Sequence, residues 1–220
     1  MNATITSTAH YVPEKVLTNS DLEKLVDTSD EWIKSRVGIN QRHVVSDGEA
    51  SSDMSTKVAH SLLEKRRISA ANIDVIIIGT VTPDHPTPST AAIVQNNINA
   101  ENAWAFDLSA ACSGFLYALE TGAKFIESGQ YKTIMVIGVD TMTSILDFED
   151  RETCIIFGDG AGGVILEASK SNTGILGSVL KTDGSGAESL NVLAGGSKYP
   201  ASLTTIKNRQ HYIKQDGKKV

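Results

Sequence analysis

The residues best suited to chemistry lie in Asp107-Leu108-Ser109-Ala110-Ala111-Cys112-Ser113-Gly114-Phe115. An apolar run leads in, a helical pattern leads out, and a thiol sits at the join. A helix N-terminus leaves backbone N–H groups unpaired and carries a partial positive charge. Both favour the thiolate, the form of cysteine that attacks a carbonyl carbon. Ala110, Ala111, Ser113 and Gly114 leave room for a bulky adduct. The same N–H groups suit an oxyanion formed when a thioester is attacked. Cys112 is therefore a candidate acyl-carrying nucleophile. The competing reading is a small buried hydrophobe, the usual state of a free cysteine. Residue chemistry leaves both open.

Gly158-Asp159-Gly160-Ala161-Gly162-Gly163 matches G-x-G-x-x-G after an apolar strand. A dinucleotide site needs a helix next, with its N-terminus on the pyrophosphate. Val164-Ile165-Leu166 follow instead, and they favour a strand. The motif reads as tight strand packing, with positive φ at some of its glycines. Trp32, Arg36 and Arg151 suit an adenine stacked on indole with guanidiniums near phosphates. The bland alternative is a half-buried Trp with solvated arginines. His85, in a proline-rich loop, reads as polar surface rather than a base. Neither H-E-x-x-H nor a paired C-x-x-C occurs, so no metal site is expected.

The elements that must position these groups follow from the pattern. Asn2–His10 reads as a strand, and Asn19 starts a short helix running to Val26. A second helix starts at Thr28–Trp32 and stops at Val37-Gly38. Ser51–Arg67 is a longer helix with Met54, Val58, Leu62 and Leu63 on one face. Val75–Ile78, Ala103–Leu108 and Thr133–Val139 read as strands. Helices over Ser89–Ile98 and Ser113–Ser128 lie between them, the latter closed by Gly129. This alternation predicts βαβ units and a largely parallel sheet. From Cys154 onward only strands are expected: Cys154–Phe157, Gly162–Glu167, Gly174–Lys181 and Ser189–Leu193. Gly195–Val220 is basic and shows no clean period.

The bulk numbers narrow the function classes. The 220 residues carry a formal net charge of −6, which argues against nucleic-acid binding. No apolar run approaches the ~18 residues of a membrane span, and the N-terminus lacks a signal-peptide pattern. The two cysteines, Cys112 and Cys154, form no disulfide framework and suit a reducing cytoplasm.

Several ordered motifs together resemble the β-ketoacyl-acyl carrier protein synthase III enzymes of the thiolase superfamily. They are Leu17–Leu22, Val26–Ile33, Arg36–Ile39, Thr82-Pro83-Asp84 with Pro88–Ala91, Ala110–Phe115 and Phe157–Gly162. The likeness runs to about Ser169 and is looser beyond. It implies an α/β fold in αβαβα layers, with the first half present and the second half largely missing. Residues 1–170 would form the N-terminal half with the nucleophile, and 171–220 the start of the second. It implies a homodimer paired through the strand near Ala103–Leu108. It implies that Cys112 takes an acyl group from acyl-CoA, and that malonyl-acyl carrier protein then loses CO2 and attacks the thioester. Acyl-CoA is a substrate, and no cofactor is implied. Thr28, Trp32, Arg36 and Arg151 match positions that contact CoA. Thr87 matches the loop lining the acyl pocket of the partner subunit. Because Thr87 is small, a primer longer or more branched than acetyl is expected, and acyl-CoA profiling tests this.

Two departures stand out. The family's catalytic His and Asn belong to its second half, in an H-Q-A-N-like motif and a later one, and His211-Tyr212-Ile213-Lys214 does not match. The site is thus expected to be incomplete, with the chain a fragment or unable to condense alone. Glu152 stands beside Arg151 where the family often has Gly. The alternatives are a related condensing enzyme of specialised metabolism and a non-catalytic thiolase-like partner subunit.

Overall fold

In the computed structural model, residues 2–170 and 173–220 are described. Along the chain run β1 (Asn2–Tyr11), β2 (Lys15–Thr18), α1 (Asn19–Leu22), α2 (Asp30–Val37), β3 (Gln41–Val44), α3 (Ser51–Arg66) and β4 (Val75–Gly79). Then come α4 (Thr90–Asn97), β5 (Trp104–Leu108), α5 (Gly114–Glu127), β6 (Thr133–Thr141), α6 (Arg151–Cys154) and β7 (Asp159–Ser169). The chain closes with β8 (Leu190–Val192), α7 (Leu203–Lys207) and β9 (Ile213–Gln215). These elements fall into two compact units that interleave along the sequence.

The first unit comprises Met1–Pro13, Val45–Asp140 and Gly160–Leu180. Its sheet has the order β1-β7-β6-β4-β5. β4 pairs in parallel with both β5 and β6, while β1 pairs antiparallel with β7. Side chains alternate across a strand, and both faces of β4 and β6 are buried. Ile76, Ile78, Met135 and Ile137 pack with Met54, Val58 and Leu62 of α3 and Val94 of α4. Val75, Ile77, Ile134 and Val136 pack with Ala118, Ala123 and Ile126 of α5. Three layers result, helix on sheet on helix, which explains why these strands read as unbroken apolar runs.

The second unit comprises Glu14–Val44, Thr141–Asp159 and Lys181–Val220. Its apolar core is small, built on Leu22, Ile33, Cys154 and Ile155. Two antiparallel pairs, β2–β3 and β8–β9, complete it.

Several expectations need correction. Cys154–Phe157 is not a strand. The Asp150 carboxylate accepts the Glu152 N–H and starts the helical turn α6, and this local cap overrides the apolar pattern. Gly174–Lys181 forms no ladder, although Ile175 N–H donates to the Ala3 carbonyl. The basic segment holds α7 and β9 despite its lack of period. Thr18, not Asn19, caps α1, because its hydroxyl accepts the Asp21 N–H and Asp21 reciprocates. Strand, not helix, follows Gly158, and Gly160, Gly162 and Gly163 lie within β7, but none of the four has positive φ. Close packing accounts for two of them: a Cβ on Gly163 would lie 2.9 Å from the Val136 carbonyl oxygen, and one on Gly158 3.0 Å from that of His43.

Candidate active site

Cys112 lies in a single 3-10 turn, Ala111–Ser113, between β5 and α5. The reversal is tight: Ala111 sits at φ 47°, a left-handed value uncommon outside glycine. Ser113 N–H donates to the Ala110 carbonyl at 3.1 Å. Cys112 is exposed, whereas Cys154 is fully buried. Burial, with Asp150 nearby, pushes the Cys154 thiol up and keeps it an inert core group. The buried-hydrophobe reading thus belongs to Cys154 and not to Cys112. No side chain caps the start of α5. By contrast Ser29 caps α2 and Ser89 caps α4. No side chain therefore competes for the N–H groups beside the thiol, although those of Ser113 and Gly114 donate to the Ala110 and Ala111 carbonyls within the turn.

Glycines on neighbouring strands set the position of this turn. Gly79 and Leu108, the last residues of β4 and β5, align with each other, and Gly79 also aligns with Gly138, three residues before the end of β6. A Cβ on Gly79 would meet the Gly114 carbonyl carbon at 2.8 Å, and one on Gly138 would meet Phe115 Cβ at 3.1 Å. The start of α5 can approach the sheet only because both side chains are missing. Sequence reading passed over Gly79 and Gly138. The available signal was a glycine directly after each apolar run, Val75–Ile78 and Ile134–Ile137.

Thr87 stands exposed in the loop after β4, next to a cis Thr87–Pro88 peptide. His85 is exposed in the same loop, consistent with polar surface. The Asp140 carboxylate accepts from Thr80 Oγ1 (3.1 Å), Val81 N–H (2.8 Å) and Thr82 Oγ1 (3.0 Å). Asp84 accepts from Ser52 N–H (2.8 Å) and Ser52 Oγ (2.6 Å).

In the second unit, Trp32 and Arg151 meet across 119 residues of sequence. The guanidinium carbon lies 4.6 Å from the indole centroid. Arg151 also donates to the Asp27 carbonyl at 2.9 Å. Both line a cleft of about 1090 Å³ with Val37, Glu152, Asp216 and Lys218. Arg36 is exposed on α2 and does not line it. Thr28 Oγ1 is buried without a hydrogen-bond partner. Asp216 and Lys218 were missed, since only their place in a basic, aperiodic stretch marked them. Buried Arg42 organises the walls. It donates to the Ile155 carbonyl after α6 and to Asn19 Oδ1. Asn19 in turn donates to Asp30 at the start of α2 (2.8 Å). One arginine thus ties together the helices that carry Trp32 and Arg151.

Comparison with known proteins gives these features a family. Residues 106–184, which include Cys112 and Arg151, match the model of 3-oxoacyl-[acyl-carrier-protein] synthase III. The beta-ketoacyl-[acyl-carrier-protein] synthase III of Chlorobaculum tepidum is 57% identical over the whole chain. The alignment covers 68% of that relative, so the chain spans about two thirds of its length.

The chain belongs to the β-ketoacyl-acyl-carrier-protein synthase III family. It is a family of condensing acyltransferases of fatty-acid synthesis. The synthase III crystal structure from Aquifex aeolicus superposes with a TM-score of 0.87 at 41% identity, covering 98% of this chain and 65% of that one. The priming β-ketosynthase of the R1128 polyketide pathway superposes at 0.88 with 28% identity, over 99% of this chain and 64% of that one. The thiolase-like fold expected from the motifs is therefore present, in part. Among the described residues no helix is long and apolar enough to cross a membrane, and no cluster of His, Cys, Asp or Glu is arranged to hold a metal ion.

Proposed function

We propose that Cys112 carries the acyl group in the first half of the synthase III reaction. The thiolate attacks the carbonyl carbon of an acyl-CoA. The oxyanion collapses, the bond to the CoA sulfur breaks, and CoA leaves as a thiol once protonated. In the second half, malonyl-acyl carrier protein loses CO2. Its carbanion attacks the Cys112 thioester, yielding 3-oxoacyl-acyl carrier protein and free Cys112. The observation that carries this reading is the exposed thiol at a helix start without a side-chain cap. Trp32 and Arg151 suit the adenine and phosphates of CoA; the resemblance adds Thr28 and Arg36 to the CoA contacts, although neither lines the cleft, and Thr87 to the border of the acyl chain. The 220 residues contain no H-x-A-N stretch, so acylation is assigned to this chain and condensation to a complete site. β5 ends the sheet with one edge unpaired by any described strand, which suits pairing with a second copy in a cytoplasmic homodimer.

Incubation with radiolabelled acetyl-CoA and a longer acyl-CoA tests the reading. Label on Cys112, absent in Cys112→Ala at unchanged circular dichroism, is the expected result. A folded protein that takes up no label from either would overturn it. A fatty-acid role leads over specialised metabolism, because identity is 57% to the synthase III of Chlorobaculum tepidum and 28% to the polyketide enzyme.

A further inference from the structure

Asp107 opens the nucleophile stretch, yet the acyl-transfer reading makes no use of it. It is a half-buried residue on β5, near the end of the strand that delivers Cys112. Its Oδ2 accepts the Thr90 N–H at 2.7 Å and its Oδ1 accepts the Ala91 N–H at 2.8 Å. Thr90 and Ala91 are the first two residues of α4, the helix that begins just after Thr87 and Pro88. Ser89 Oγ accepts the next N–H, from Ala92, at 3.2 Å. The two caps on this helix differ in kind. Ser89 is part of the loop it caps, whereas Asp107 belongs to another element. Its bonds are charge-assisted and two-pronged, so they fix an angle as well as a distance, and the helix dipole reinforces them. The rest of the loop hangs on Asp140 of β6 and on Asp84, which binds α3. Of the three carboxylates, only Asp107 lies on the strand that leads into the Cys112 turn.

We infer that Asp107 is a positioning residue that couples the Thr87 loop to the Cys112 turn, so that one carboxylate sets both the reactivity of the nucleophile and the acyl chain it accepts. The inference rests on the acyl-transfer reading of Cys112 and Thr87. Without the carboxylate, α4 and its loop lose their tie to β5. A nucleophile misplaced by even about an ångström loses up to roughly a hundredfold in rate.

The test compares Asp107→Ala, the isosteric Asp107→Asn and Ser89→Ala in the full chain. Acylation of Cys112 by acetyl-CoA and hexanoyl-CoA is followed by intact mass, and alkylation of Cys112 by iodoacetamide is followed in parallel. Asp107→Ala is expected to slow acylation by roughly ten- to a hundredfold, to change the acetyl-to-hexanoyl ratio and to change the alkylation rate. Asp107→Asn, which retains one acceptor oxygen, should fall between it and the wild type. Ser89→Ala should lower the melting temperature while leaving ratio and alkylation unchanged. Equal ratios and alkylation rates in Asp107→Ala, Ser89→Ala and wild type would reduce Asp107 to an ordinary helix cap and overturn the inference. If Asp107→Ala does not fold, the isosteric variant decides. A wild type that accepts neither acyl group would refute the acyl-transfer reading instead, and alkylation still reports on the coupling.

Discussion

The two candidate regions are held in place by different physics. In the first unit the nucleophile turn rests on close contact. The sheet behind it is apolar on both faces, and the start of α5 fits against Gly79 of β4 and Gly138 of β6. In the second unit the apolar core is small, and polar ties do the positioning. Arg42, through Asn19, links the start of α2 to the end of α6, and Arg209 chelates buried Asp147. The contrast suits two tasks. A thiol that must meet a carbonyl carbon tolerates little displacement, so rigid packing holds it. A cleft for a charged, flexible substrate, the role proposed for the one beside Trp32, needs fixed charges more than exact shape, and a polar network supplies them.

Gly79→Ala probes the contact side hardest. The added methyl meets backbone at 2.8 Å, so strand or helix must shift. We expect a loss of about 1–3 kcal/mol in stability and roughly a tenfold or greater loss in Cys112 acylation. Gly177→Ala, with nothing within 4 Å, should change neither. A Gly79→Ala protein with wild-type acylation and urea midpoint would break the contact argument.

Asp147→Ala probes the polar side. Arg209 Nε donates to Asp147 Oδ2 at 2.8 Å, and the guanidinium beside it holds the Asp147 carboxyl below its ordinary value of 3.8. Arg209 remains two-fifths exposed, so we expect roughly 1–3 kcal/mol rather than the cost of a fully buried pair. The pH dependence has a definite sign. A depressed folded value means that the unfolded chain binds the proton first. The stabilisation is therefore complete above pH 3.8 and disappears as pH falls through the lower folded value. Urea midpoints measured against pH should converge for wild type and Asp147→Ala at the acid end. Parallel curves would remove the pair from the account.

Trp32→Ala and Arg151→Ala should have the smallest effects. Each removes one face of the 4.6 Å stack. We expect KM for acyl-CoA to rise about 5- to 30-fold, worth about 1–2 kcal/mol each, with the acylation rate at saturation nearly unchanged. Added salt should erode the Arg151 effect before the Trp32 effect. A fall in the saturated rate instead would mean that the cleft also positions the thioester.

Much of the first unit was legible because its elements are long and their signals local. Ser51–Arg66 announced itself by period and Val75–Gly79 by an unbroken apolar run, and Ser89 and Gly129 marked ends where they were expected. The second unit was legible mainly at its motifs. Around Cys154 a single carboxylate, Asp150, decided between helix and strand. In Gly195–Val220 the ordering partners lie far off in sequence: Arg209 is 62 residues from Asp147 and Lys214 is 64 from Asp150. No window along the chain contains such pairs.

By itself the sequence determined the chemistry on offer: a thiol among small residues at a strand-to-helix join, an indole, several guanidiniums and no metal-ligand motif. Residue type and local period suffice for that. Only the tertiary structure decided which cysteine is exposed, which arginine reaches the indole, and why β4 and β6 carry glycine at positions 79 and 138. Those outcomes depend on distances across the fold. A side chain absent from one strand sets the approach of a helix whose first residue comes 35 positions later.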